Sequence, residues 1–168
     1  MDAWLFLLRW FHFLAGITWI GMLYYFNFVQ VPFFAGAEPA VRTGMITGGL
    51  VSRALWWFRW GAMLTFITGW LYLLHRMFQL GGVQAFFNVS YGWLIFMGGI
   101  IGSLMWFNVW FIIMPNQNKV MGVTQATPDE VNAARRVAGL ASRVNTLLSI
   151  PMLYCMVAQA NVDMVFGS

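Results

Sequence analysis

The sequence predicts an all-α integral membrane protein, a four-helix bundle, and three observations carry that prediction. Of 168 residues, 61% are hydrophobic and 8% charged, against roughly 25% charged in a soluble domain. Four apolar stretches are each long enough to cross a bilayer, whose hydrocarbon core of about 30 Å takes roughly 20 helical residues. The basic residues gather in the segments joining these stretches on one side. A water-soluble domain of this size has no core large enough to hide so much apolar surface, so the excess faces lipid. Inside hydrocarbon every backbone polar group must bond within its own segment, which forces the helical class.

Residues 1–168 read as a single transmembrane domain with spans at about 4–31, 55–80, 92–114 and 140–162. The first begins at Trp4 and is expected to stop at Pro32. It runs far beyond a signal-peptide core and has no small-residue cleavage site, so it is expected to be retained. A Gly-rich connector over 35–51 leads to the second span, which Gly81-Gly82 closes. The third is expected to end at Pro115-Asn116-Gln117-Asn118-Lys119. Thr127-Pro128-Asp129-Glu130 is a helix start: a capping hydroxyl, proline at the first position, then acids where the helix dipole favours them. Pro151 within the fourth span predicts a kink. No internal repeat or low-complexity tract is evident.

Arg42, Arg53, Lys119, Arg135 and Arg136 collect on one side, with Arg59 and Arg143 just inside, while Arg9 and Arg76 stand alone on the other. The positive-inside rule then places both connecting loops in the cytoplasm and both termini on the outer face of a cytoplasmic membrane, as a multi-pass protein. The net charge of +4 is scattered, and a nucleic-acid partner is not expected. A lone cysteine, Cys155, excludes an internal disulfide and a cysteine zinc cluster, and the absence of C-x-x-C-H excludes a covalently attached haem.

The two histidines, His12 and His75, both fall inside spans. Counted from the expected span ends, they lie about 12 Å and about 8 Å below the same surface at 1.5 Å per residue. Arg9, His12, Gly16, Trp19, Leu23 and Asn27 form one stripe at steps of three and four; Gly61, Thr65, Thr68, Tyr72 and His75 form another. Small residues, aromatics and an imidazole on each stripe are what a haem b between helices needs, with His12 and His75 as axial ligands to the metal. Arg9 and Arg76 are positioned to pair with propionates. The competing readings are histidines that only bond neighbouring helices, arginines that snorkel, and a metal or proton-relay role.

A second polar set, Asn27, Gln30, Arg59, Asn108, Arg143 and Asn145, falls in the opposite half. It forms either a pocket for a quinone or an anion, or ordinary polar residues near helix ends. Gly98-x-x-x-Gly102 and Gly99-x-x-x-Ser103 are read as close-packing motifs.

The stretch Arg9-Trp10-Phe11-His12-Phe13-Leu14-Ala15-Gly16-Ile17-Thr18-Trp19-Ile20-Gly21 resembles the opening of the membrane domain at the N-terminus of bacterial urate hydroxylases. Trp106-Phe107-Asn108-Val109-Trp110-Phe111-Ile112-Ile113-Met114-Pro115-Asn116-Gln117 resembles a later segment of that family. The His12-x-x-x-Gly16-x-x-Trp19 pattern is similar to small four-helix haem-binding membrane proteins, including those of porphyrin oxidation. The resemblance implies electron transfer linked to a c-type cytochrome, which long members carry as their own C-terminal domain.

The expectation is therefore a membrane haem b electron-transfer subunit of a respiratory or oxidoreductase complex. Its expected partners are the lipid bilayer, other membrane subunits and a separate c-type cytochrome. The alternatives are a cofactor-free structural or assembly subunit, and a membrane oxidase of urate or another small reductant.

Overall fold

The computed structural model describes residues 3–89 and 91–158. Among these residues all regular structure is helical. The chain forms α1 (Ala3–Gly36), α2 (Pro39–Thr47), α3 (Leu50–Gln79), α4 (Val83–Asn88), α5 (Gly92–Val120) and α6 (Pro128–Ala158). Short connectors make successive long helices antiparallel. The α1–α3 and α5–α6 connectors therefore share one end, the loop end, and the α3–α5 connector lies at the other. Helix α1 packs along α3, and α5 along α6.

Three helices, α1, α5 and α6, are long and apolar enough to cross a membrane. Helix α3 matches them in length, but its 30 residues include four Trp, three Arg and a His, which lower its hydropathy. The expectation of four apolar spans is thus met by three. Large apolar side chains on every long helix point outward, Ile17, Phe78, Phe111 and Leu147 among them, as lipid contact requires. Residues 159–162 of the expected fourth span and both chain termini lie outside the described residues.

Two expected stops are not stops. Pro32 and Pro115 lack the N–H of an α-helical bond, yet α1 continues to Gly36 and α5 to Val120. Each helix widens into a π-turn just before its proline, over Tyr25–Gln30 and Asn108–Ile113. The residue preceding each proline closes a longer loop: Val31 N–H donates to the Phe26 carbonyl and Met114 N–H to that of Val109. The extra residue gives the proline ring room that a regular helix would deny it. Helix α6 likewise runs on through Pro151.

Other local signals hold as read. Leu80 ends α3 and is followed by Gly81 and Gly82 at φ +93° and +115°. The Gly82 N–H reaches back 2.9 Å to the Met77 carbonyl, closing the helix in a Schellman turn. At the start of α6 the Thr127 N–H donates to the Glu130 carboxylate at 2.8 Å, and the Glu130 N–H donates to the Thr127 hydroxyl at 3.3 Å. That is a reciprocal capping box.

Trp19, Leu23, Phe58, Ala62, Met105 and Val109 anchor a core contributed by α1, α3 and α5, and Met152 of α6 completes it. At Gly61 the backbones of α1 and α3 come together: a Cβ there would lie 3.1 Å from the Trp19 nitrogen and 3.4 Å from the Ala15 carbonyl. This approach sets the register of the two helices.

Candidate functional site

Away from the loop end, all four long helices enclose a cavity of about 320 Å³, at the lower end of the roughly 300–1,000 Å³ of small-molecule and cofactor sites. Arg9, His12, Gly16, Trp19 and Tyr72, all singled out in the sequence, line it together. Its walls are otherwise mostly apolar.

His12 is the polar centre of this cavity. Its Nδ1 lies 2.9 Å from the backbone carbonyl of Thr65 on α3. A carbonyl only accepts, so Nδ1 carries the proton and Nε2 retains a lone pair. The ring lies against Gly69, where a Cβ would fall 2.7 Å from its Cε1. Thr65 in turn donates its hydroxyl to the Gly61 carbonyl at 2.8 Å, and Thr68 donates to that of Leu64 at 2.6 Å. Both hydroxyls are thereby engaged on their own helix.

The glycines of α5 divide by role. Gly98 faces α6, with Met156 Cε and Cys155 Cβ 3.0 and 3.1 Å from its absent Cβ, as helix packing predicts. Gly99 and Gly102, and Gly21 on α1, have nothing within 4 Å of that position and line the cavity. Protein packing does not account for these three. Ser103 accepts a 2.9 Å bond from Trp70 Nε1 and donates to the Gly99 carbonyl at 2.7 Å, tying α3 to α5. Phe66 stacks on Trp106 with ring centres 4.1 Å apart. Trp19 is fully buried, and its Nε1 has no partner among the described residues.

His75 and Arg76 sit farther along α3 and do not line the cavity. The pairings of Gly61 with Trp19 and of Gly69 with His12 set the antiparallel register, which places His75 beside the first turns of α1. Arg76 donates to Gln79 at 3.1 Å and to the Tyr91 hydroxyl at 2.8 Å, bracing the connector.

The inner polar set separates into three. Asn108 donates to Asn145 at 2.9 Å, and Asn145 donates to the Met105 carbonyl at 2.9 Å, a buried clasp between α5 and α6. Arg59 lies over Trp60 and Trp110, 5.5 and 5.3 Å from the ring centres. Asn27 and Arg143 line a second cavity at the loop end, and Asn27 also donates 2.8 Å bonds to the Leu23 carbonyl and the Ser142 hydroxyl.

Sequence reasoning missed Gly69, Met152 and Met156. Gly69, at i+4 from Thr65, continues the α3 stripe, and that spacing was the available signal. The methionines carried none, because only the fold brings α6 to the cavity.

His12 thus stands at a mostly apolar cavity lined by all four long helices of an all-α protein. The chain belongs to the urate oxidase N-terminal family, whose model matches residues 82–167, just over half of the 168. The match contains the Trp106–Gln117 stretch, while Arg9–Gly21 precedes it. No curated protein and no solved structure matches the chain.

Proposed function

We propose that this chain is a haem b electron-transfer subunit of a membrane oxidoreductase complex, with His12 as an axial ligand. One observation carries the reading: His12 Nδ1–H donates to the Thr65 carbonyl, leaving Nε2 available at the cavity wall. Metal-bound histidines are characteristically held this way, with the second nitrogen donating to a carbonyl or carboxylate.

The residues present fit the group. Among the described residues no cluster of three or more His, Cys, Asp or Glu forms, but a porphyrin brings its own equatorial nitrogens and needs one or two protein donors. Gly21, Gly99 and Gly102 leave open wall where a flat ring can lie against backbone. Arg9 at the cavity edge supplies a cation for a propionate. Bound there, haem supplies one-electron chemistry. The chain's own part is to fix the His12 tautomer through Thr65, seat the ring on Gly69 and exclude water with aromatic walls.

In the bis-histidine form of this reading His75 would be the second residue to hold the haem, and Arg76 would pair with the other propionate. A second reading comes from the cavity itself: Met152 and Met156 line it and His75 does not, and a thioether is the other common axial donor. Charge asymmetry supports an inner-membrane protein with the loop end in the cytoplasm. Electrons would then pass to or from a c-type cytochrome at the periplasmic face, with other membrane subunits covering the exposed aromatics.

Reduced-minus-oxidised spectra of the protein in its native assembly test this. A low-spin b-type signal is expected, and His12→Ala should abolish it or turn it high-spin. Loss in His75→Ala with retention in Met152→Leu and Met156→Leu assigns the bis-histidine pair; the reverse assigns a methionine. A haem-free native assembly sinks the reading and leaves a structural subunit.

A further inference from the structure

The loop-end cavity, about 570 Å³, has a different chemistry from the one that holds His12. Its wall is apolar where the helices meet, at Phe26, Leu55, Phe58 and Ile113, and three arginines line it: Arg42 from α2, and Arg135 and Arg143 from α6. No Asp or Glu is among the residues that line it. Guanidinium forks match phosphate and carboxylate oxygens, so three arginines lining one concavity suit an anion. Arg135 makes a long side-chain bond, 3.4 Å to Asn132.

A second, independent feature lies in the wall of the same cavity. Gln30 lies in the π-turn of α1 and lines this cavity. Its side chain is 9% exposed, and its Oε1 finds no hydrogen-bond partner among the described residues. A buried acceptor left without a donor is costly, so such groups are ordinarily satisfied. A ligand bearing a hydroxyl or N–H would satisfy it.

We propose that this cavity binds an anionic amphiphile: a phosphate or carboxylate head for the arginines, an apolar body for the phenylalanine wall, and a hydroxyl or N–H for Gln30. The proposal is independent of haem, since the two cavities share no lining residue. Such a molecule could be a lipid of the surrounding bilayer or a diffusible organic anion, and the head chemistry is common to both.

The test uses the full chain purified in neutral maltoside detergent, titrated with dodecyl phosphate and, separately, with inorganic phosphate, while the thermal midpoint is followed. Dodecyl phosphate should raise the midpoint saturably, and inorganic phosphate at the same concentration should not. Arg42→Gln and Arg143→Gln should each weaken dodecyl phosphate binding roughly tenfold or more, while Arg143→Lys, which keeps the charge and the fold, should retain part of it. Native mass spectrometry from mixed nanodiscs then separates the sources. Selective retention of phosphatidylglycerol over phosphatidylcholine, reduced in Gln30→Leu, identifies the bilayer; dodecyl phosphate binding without lipid retention identifies a diffusible anion. Equal midpoint shifts from both phosphates, or full binding in folded Arg42→Gln and Arg143→Gln proteins, overturns the proposal.

Discussion

Gly69 gives His12 its place: the imidazole occupies the space that a Cβ at position 69 would claim, 2.7 Å from Cε1. Any side chain there pushes the ring away from the Thr65 carbonyl. Gly69→Ala is therefore expected to lose or distort any cofactor signal that depends on His12, while helical circular dichroism is unchanged. Overpacking of this kind costs about 1–3 kcal/mol. A variant that keeps both the wild-type spectrum and the wild-type melting midpoint would contradict the placement of the ring.

Gly61 is a structural counterpart with no cavity to serve. A Cβ there meets the backbone of α1 at Trp19, which cannot move aside as a flexible side chain would. Gly61→Ala should lower the thermal midpoint by an amount corresponding to about 1–3 kcal/mol, and Gly61→Val by more. Gly99→Ala, facing open space, should leave the midpoint within experimental scatter. Comparable losses at 61 and 99 would refute the division between packing and cavity glycines.

The Asn108–Asn145 clasp yields a coupling. Asn145 is completely buried, so Asn145→Leu strands both the Asn108 amide and the Met105 carbonyl, at a cost of about 1–3 kcal/mol. Replacing both by Leu removes one stranded group and should restore part of the loss. A double-mutant cycle on detergent-solubilised protein measures this, and strict additivity would show that the two amides do not interact.

Hydrogen bonds from the Thr127 backbone and hydroxyl hold the Glu130 carboxyl below its ordinary value. Because the folded-state value is depressed, the stabilisation is complete above the unfolded-state value and disappears as pH falls through the folded one. Protection factors in the first turn of α6, which are corrected for the intrinsic slowing of exchange in acid, should fall as the medium is acidified through that range. Thr127→Ala should show low protection factors at every pH. Protection in the wild type that does not change with pH would remove the carboxylate from the cap.

The proposed topology is tested without reference to any cofactor. Single cysteines at Gly122 and at Thr43, in a Cys155→Ser background, should react with a membrane-impermeant maleimide only after the cells are opened. Labelling of intact spheroplasts would reverse the orientation.

Local chemistry was legible in the sequence. The Gly81-Gly82 stop and the Thr127 start depend on residues within one turn of each other. The prolines were misread because Pro32 and Pro115 end a helix only if the preceding turn cannot widen. Both preceding turns do widen, and α6 presents Ser142 to Asn27 and Asn145 to Asn108, contacts between residues far apart in the chain. His12 stood out as an imidazole in an apolar segment, but its partners Thr65 and Gly69 depend on how α1 registers against α3. The apparent depth match with His75 came from assumed span ends, whereas the observed register follows from Gly61 meeting Trp19.

The two π-turns act as phase adjusters. An additional residue within a helix advances all that follows by about 100°, so each of α1 and α5 can line one cavity with its first half and another with its second. A one-residue deletion between Tyr25 and Gln30 would take up that slack. The first half of α1 would keep Arg9, His12 and Gly16 on their cavity, while Gln30 and the residues after it in α1 turned by about 100° away from theirs. Chain length in this segment is therefore under tighter geometric control than residue identity: substitutions on the outward face are tolerated far more readily than a single deletion, which would disconnect the two halves of the bundle.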